Sequence, residues 1–294
     1  MIGPDRLDRV SAEAVVPEQV TAYVRAVAGS KPKLYGACIG YETDGSLVLV
    51  GYPLHAPRDA GAMAEAVDLA LASPGLQRLT VIGPARPPQA PERAAVATDG
   101  YYALSVPGPA PGPKLRNLLR RAEREVALVR GERFGDGHAA LVQRYLDERS
   151  FPAGTRRIFP QLPRYVEESP GALLVSARRA DGRLAAFAVG EFASLSTAFF
   201  MFSFRDPDLA PPGSADLALS GLLSEARERG QGRMNLGLGV SEGIRFFKKA
   251  ADGCIRRVRA HDNLSFSLDQ FDGGFFDRFG KQDGVQGMNL WAKR

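Results

Sequence analysis

Between Ala210 and Gly253 the chain reads APPGSADLALSGLLSEARERGQGRMNLGLGVSEGIRFFKKAADG, the stretch best equipped to hold and transform a ligand. Asp216 stands in the first turn of an expected helix. There a carboxylate suits the positive end of the macrodipole and would repel a pyrophosphate. Pro211 and Pro212 before it supply no N–H groups. Asn235 and Gly237 interrupt a short apolar run, and a glycine inside a strand often marks a bulge or the close approach of another group to the main chain. A ligand could touch backbone there. Arg245 and Lys249 could hold a phosphate of a donor through charge-assisted hydrogen bonds, whereas the same cations, with Lys248, also suit a solvated helix C-terminus.

The elements that must position these groups follow from periodicity. Leu217, Leu219, Leu222, Leu223 and Ala226 share one face of a helix from about Ser214 to Arg229, with Ser214 as N-cap and Gly230 as stop. Arg233 to Leu238 is a short strand. A second helix begins near Ser241 or Glu242, buries Ile244, Phe247 and Ala251, and ends at Gly253.

Other chemistries lack their residues. There is no GxSxG elbow, P-loop or HExxH, and the glycines from Gly232 to Gly239 have the wrong spacing for a dinucleotide fingerprint. His55, His138 and His261 lie in different segments without ligand spacing, so no metal is expected. Cys38 and Cys254 form no CxxC and are expected as reduced core or strand residues.

The order P-P-G-S-A-D-L, helix, M-N-L-G-L-G, short turn, G-I-R-F-F-K-K-A-A-D-G resembles the C-terminal catalytic half of the phosphatidylglycerol lysyltransferases and, more distantly, the Fem-type peptidoglycan aminoacyl transferases. The resemblance is strongest over residues 114–253. Both families contain two copies of the fold of the GCN5-related acetyltransferases (GNAT). The resemblance therefore implies a mixed α+β chain with two GNAT-like domains in tandem, residues 1–107 and 114–294. It implies an acyl or aminoacyl transferase with an amine or hydroxyl acceptor on a small molecule or lipid head group. The favoured donor is an aminoacyl-tRNA. An acyl-CoA or acyl carrier protein is the alternative donor, no cofactor is tightly bound, and an inactive GNAT-like binding module is a further alternative. Phe247-Lys248 matches the Phe-Lys pair with which the bridge-forming transferases stabilise an oxyanion, which makes Lys248 the first catalytic candidate. Asp216 matches an aspartate of the lysyltransferases, as a catalytic or amine-recognising carboxylate. In standard acetyltransferases the loop before this helix is Gln/Arg-x-x-Gly-x-Gly/Ala, whose N–H groups cradle coenzyme A; Pro211, Pro212 and Asp216 depart from it.

With 294 residues and no low-complexity tract, the chain can bury roughly 75% of its unfolded surface. No apolar run approaches the roughly 20 residues that span a bilayer, and the N-terminus lacks signal-peptide character, so a cytoplasmic location is expected. The net charge of +5 and pI near 9.3 are too modest to indicate nucleic acid by themselves. Their distribution is more telling. Lys114, Arg116, Arg120, Arg121, Arg124 and Arg130 are expected on one side of a long helix reaching Val129, available for phosphate contact or simply a solvated face.

In chain order, a helix is expected over 11–28, strands over 34–41 and 46–52 around an Asp44-Gly45 hairpin turn, a helix over 58–72, a strand over 78–83, and short strands over 94–96 and 101–106. Pro107 to Pro113 marks the domain border. Helices near 138–149 and 157–168 and a meander over 172–178, 184–192 and 197–204 follow, then further strands at 256–260 and 265–268.

Overall fold

Asp44 and Gly45 both take positive φ, 45° and 74°, as a two-residue type I′ hairpin turn requires. They join β2 (Cys38–Thr43) to β3 (Ser46–Val50) with Thr43 opposite Ser46. This computed structural model describes residues 4–151, 153–238 and 262–269. Upstream of the hairpin lie α1 (Pro4–Ala12), α2 (Thr21–Ala28) and β1 (Lys31–Tyr35). The single helix expected over 11–28 is therefore broken. Buried Gln19 holds the break together: its side chain accepts from the N–H groups of Val15 and Val16 and donates to the Tyr52 carbonyl at 2.8 Å. Likewise the strand expected over 34–41 is split, because Gly36 turns the chain at φ 55°.

After β3 come α3 (Ala60–Leu71), β4 (Arg78–Gly83) and β5 (Ala95–Ser105). The Pro-rich stretch leads into α4 (Pro113–Ala122), β6 (Val126–Arg130), α5 (Asp136–Asp147), α6 (Ala153–Arg156), α7 (Leu162–Glu168), and the meander β7 (Ala172–Arg179), β8 (Leu184–Glu191) and β9 (Thr197–Arg205). Then follow α8 (Ser214–Glu228), β10 (Arg233–Leu238) and β11 (Asp262–Asp269). The basic helix is shorter than expected. It stops at Ala122, and Val126 to Arg130 pair antiparallel with Arg179 to Val175. Val126 and Leu128 are two residues apart and both pack toward α8, the period of a strand, whereas the expected helical stripe paired Val126 with Val129.

The described strands hydrogen-bond in the order β1-β2-β3-β4-β11-β5-β10-β9-β8-β7-β6. β5 is one strand where two short ones were expected. Its residues 95–100 pair with β11 and residues 101–105 with β10. Strands from both sides of the Pro-rich stretch thus alternate at the centre.

On one face of the second half, Ala218, Leu219, Leu222 and Ala226 of α8 pack on Val175, Ala188, Phe200, Met234 and Leu236. The opposite face carries an aromatic cluster: Phe187 stacks on Phe204 with centroids 4.9 Å apart, and Tyr145 meets Phe204 edge-on at 5.4 Å. Such pairs add about 0.5–1.5 kcal/mol each beyond burial. No described helix is long and apolar enough to cross a membrane.

Candidate functional site: where two parallel strands part

Each half contains a strand, a helix and a second strand parallel to the first: β3–α3–β4 and β9–α8–β10. In the first unit the pairing runs from Ser46↔Arg78 to Val50↔Ile82 and continues with the Gly51 N–H donating to the Ile82 carbonyl at 2.7 Å. Met63 packs against its end: a Cβ on Gly51 or on Gly83 would stand 3.2 Å from the Met63 sulfur. That unit is closed. In the second unit pairing ends at Asn235↔Phe199, although β9 runs on to Arg205 and β10 to Leu238. The two strands diverge toward the N-terminus of α8.

Asn235 and Gly237 cause the divergence on the β10 side. Gly237 has φ 77°, its N–H donates to Asn235 Oδ1 at 2.8 Å, and the register against β5 shifts between Asn235 and Leu238. Asn235 Nδ2 donates to the Val15 carbonyl at 3.1 Å, which ties the bulge to the first half. These two residues thus lie where the sequence places a bulge.

The start of α8 forms the other wall. Gly213 is its N-cap at φ 93°, and a Cβ there would stand 2.8 Å from Leu118 Cγ and 2.9 Å from the Leu118 carbonyl oxygen. Only glycine allows α4 to approach so closely. Ser214 was expected to cap; instead its hydroxyl donates to the Pro211 carbonyl at 2.7 Å and its N–H to the same oxygen at 3.1 Å. The Leu217 N–H makes the first bond of the helix ladder, to the Gly213 carbonyl at 2.8 Å. The Ser214 N–H is therefore withdrawn from cradling a pyrophosphate, and the Asp216 carboxyl stands in the same turn.

Asp216 is partly buried, and burial raises its carboxyl to about 6, against a weaker lowering by its own N–H. A raised pKa means the folded state favours the neutral acid. Stability from this group is complete below about pH 4 and is lost as pH rises through 6, by up to about 3 kcal/mol. Asp216→Asn is therefore expected to melt at a higher temperature than the parent at pH 8, with the difference vanishing by pH 4. Thermal unfolding at the two pH values checks this, and an equal difference at both would contradict it.

Arg120 lies in the last turn of α4 and Arg124 two residues beyond it; both are exposed. Along with Lys114, Arg116 and Arg121 they make no ion pair among the described residues. Arg130 drops out of the set, since it lies on β6 and pairs with Glu228 at 3.1 Å and Glu225 at 3.7 Å. α4 packs beside the start of α8, so the basic surface adjoins the divergence. Arg245, Lys248 and Lys249 lie outside the described residues.

His138 has the partners of a structural histidine. Its Nδ1 accepts from the Gly135 N–H at 3.1 Å, which leaves the proton on Nε2, 2.9 Å from Ser176 Oγ and 3.3 Å from Glu132 Oε1. In that tautomer it cannot take a proton from Ser176. Burial lowers its pKa further, against the pull of Glu132.

No family model matches the chain, and no curated protein matches it in sequence. Solved structures do match. L-PGS from Bacillus licheniformis superposes with a TM-score of 0.60 at 14% identity, over 92% of each chain. FemX does so with a TM-score of 0.57 at 10% identity, over 91% of this chain and 96% of the other. A GCN5-related N-acetyltransferase from Kribbella flavida gives a TM-score of 0.50 at 13% identity, over 94% and 98%. The fold is that of tandem GCN5-related transferases. The two parallel strand–helix–strand units are its two copies, one closed and one open.

Sequence reasoning missed Arg58 and Arg233. They are far apart in the chain and meet at one cavity with Asn235. The only local signal was that Arg233 and Asn235 are two residues apart and so share a strand face.

Proposed function

We propose that the chain is a transferase that moves an activated acyl group, favoured as the aminoacyl group of an aminoacyl-tRNA, to an amine or hydroxyl acceptor. One observation carries the reading: β9 and β10 are unpaired with each other beyond Phe199 and Asn235, beside Asp216, whereas the equivalent strands of the first half stay paired throughout. A gap between parallel strands at a helix end lets a ligand reach backbone from the side. In this reading residues 1–107 serve as scaffold and residues 114–294 carry the reaction. Lys248 meets the oxyanion, Asp216 recognises or deprotonates the attacking amine, and Arg245 and Lys249 hold donor phosphate, with Asn235 and Gly237 against the donor's backbone-facing side.

Aminoacyl-tRNA is favoured over acyl-CoA or an acyl carrier protein because the Ser214 N–H of the first turn of α8 is already engaged by the Pro211 carbonyl and the Asp216 carboxyl stands in the same turn. The exposed cations Arg120 and Arg124 then contact tRNA phosphates. Binding of charged tRNA is expected to weaken with salt by a slope near −0.9 per phosphate contact, taking duplex DNA as reference. Arg120→Gln with Arg124→Gln should reduce that slope by about two. A slope unchanged in the double variant, measured by filter binding across a salt series, would remove this surface from tRNA docking. If acyl-CoA alone is consumed, the second donor reading holds; a chain that binds ligands and transfers nothing is the binding module.

A further inference from the structure

Strands β2, β3 and β4 carry two apolar faces. Leu47, Leu49 and Val81 belong to the cluster under α3, and Tyr41, Val48, Val50 and Ile82 belong to the one on the opposite side, with Val24 of α2. On that second side lies a cavity of about 60 Å³, to which Thr155 and Ile158 of the other half also contribute. The void is roughly four to six times what admits one water molecule. A nucleotide cannot enter it, whereas an ammonium group with a short alkyl chain can.

Glu18, Tyr23 and Thr155 line this cavity, and none of its lining residues is a cation. Tyr101 Oη donates to Glu18 Oε2 at 2.7 Å, and no described residue bonds Oε1. The Tyr23 and Thr155 hydroxyls likewise have no hydrogen-bond partner among the described residues. The Tyr23 ring is held instead by edge-on contact with Tyr165 at 5.1 Å and Phe202 at 6.1 Å. Tyr41, on the same wall, is already engaged, its Oη donating to the Glu18 carbonyl at 2.8 Å. Burial raises the Glu18 pKa against the Tyr101 bond, because a carboxylate held away from water without a cation is disfavoured. One free carboxylate oxygen and two hydroxyls make three acceptors, and a primary ammonium has three N–H donors. An apolar pocket with a few convergent polar groups is the usual form of a small-molecule site.

We propose that this cavity binds a small primary ammonium ion, with Glu18 as its counter-charge, the Tyr23 and Thr155 hydroxyls as its other acceptors, and Val48, Val50 and Ile82 against its alkyl chain. The site goes beyond the transferase reading and does not rest on it, since neither donor nor acceptor has to enter. Glu18 and Tyr23 are partly exposed, which leaves a way in, and Thr155 is buried. Because Thr155 belongs to the second half and Glu18 to the first, an ion seated here ties the two halves together.

The test is a ligand-observed NMR titration of the whole protein with ethylammonium chloride in amine-free buffer at constant ionic strength, with ethanol and acetate in parallel as neutral and anionic probes of similar size. An ion of three non-hydrogen atoms binds no tighter than roughly millimolar, so the series runs to about 100 mM. Ethylammonium should bind, and ethanol and acetate at least about tenfold more weakly. Glu18→Gln keeps an acceptor for Tyr101 and should weaken ethylammonium by about tenfold or more, the scale of one charged hydrogen-bond partner. Thr155→Val, which keeps the side-chain shape, should weaken it by roughly two- to tenfold and keeps the test open if Glu18→Gln folds poorly. Melting temperatures of both variants without ligand check for a folding defect. Ethylammonium affinity unaltered in a folded Glu18→Gln or in Thr155→Val, ethanol binding as tightly as ethylammonium, or no binding across the series overturns the site.

Discussion

Replacing Lys248 by alanine is expected to lower turnover by roughly 10² to 10³, the range for losing one preorganised oxyanion donor. Donor binding should change little, because the charge being stabilised does not exist in the ground state. A lysine that merely holds donor phosphate gives the opposite pattern, with KM raised and kcat kept. Lys249→Ala is the internal control. On the helix expected there from the sequence, adjacent residues would point about 100° apart, so only one of the two is expected to meet the reacting group. Small, equal losses in both variants, read from kcat and KM separately, would make the pair a solvated helix end.

Glu191→Ala is expected to be strongly destabilising. Glu191 is 0% exposed, and its carboxylate accepts from Tyr165 Oη at 2.9 Å, Ser169 Oγ at 2.7 Å, and the N–H groups of Phe192 and Ala193 at 3.1 and 3.0 Å. Burial raises its pKa against these four donors. Truncation leaves the buried Tyr165 and Ser169 hydroxyls unmatched and takes the acceptor from the part-buried Ala193 N–H, while the Phe192 N–H keeps the Gly171 carbonyl at 2.8 Å, a loss of about 4 kcal/mol, or roughly 10 °C in melting temperature at this size. Gly171→Ala tests the same knot from outside. A Cβ at Gly171 would fall 1.8 Å from Glu191 Oε1 and 2.6 Å from the Ala193 nitrogen, a main-chain collision that no side-chain rotation relieves. Melting temperatures within about 2 °C of the parent for both variants would show that the knot contributes little.

Local chemistry was legible in the sequence wherever one or two residues decide it. Asp44-Gly45 and Asp181-Gly182 each turn a hairpin, with Gly182 at φ 82°, and the meander of β7, β8 and β9 lies where its apolar runs place it. The bulge at Asn235 and Gly237 was readable for the same reason: a glycine in a strand costs stability unless its backbone is needed. What long-range pairing decides was not legible. Nothing in Ala95 to Ser105 announces that half of it pairs with β11 and half with β10. Val126 to Arg130 satisfies helical and strand spacing alike, and only β7 chooses between them. Arg58 and Arg233 look like surface arginines until the sheet brings their segments to one cavity.

The difference between the two halves was also hidden. Both contain a parallel pair joined by a helix, yet Gly51 extends the ladder in one, and Asn235 with Gly237 interrupts it in the other. This contrast is why the proposed reaction is placed in the second half.

The most direct test of that assignment is a single-turnover donor panel. The protein is mixed with a set of aminoacyl-tRNAs and, separately, acyl-CoA donors, with an amine or hydroxyl acceptor, and loss of the acyl group from each donor is followed. At least one charged tRNA should be deacylated with stoichiometric appearance of acylated acceptor, and Asp216→Asn should slow that step while leaving tRNA binding intact. Acyl-CoA consumed in place of every charged tRNA, or no donor consumed under any condition, would contradict aminoacyl transfer at the open end of β9 and β10.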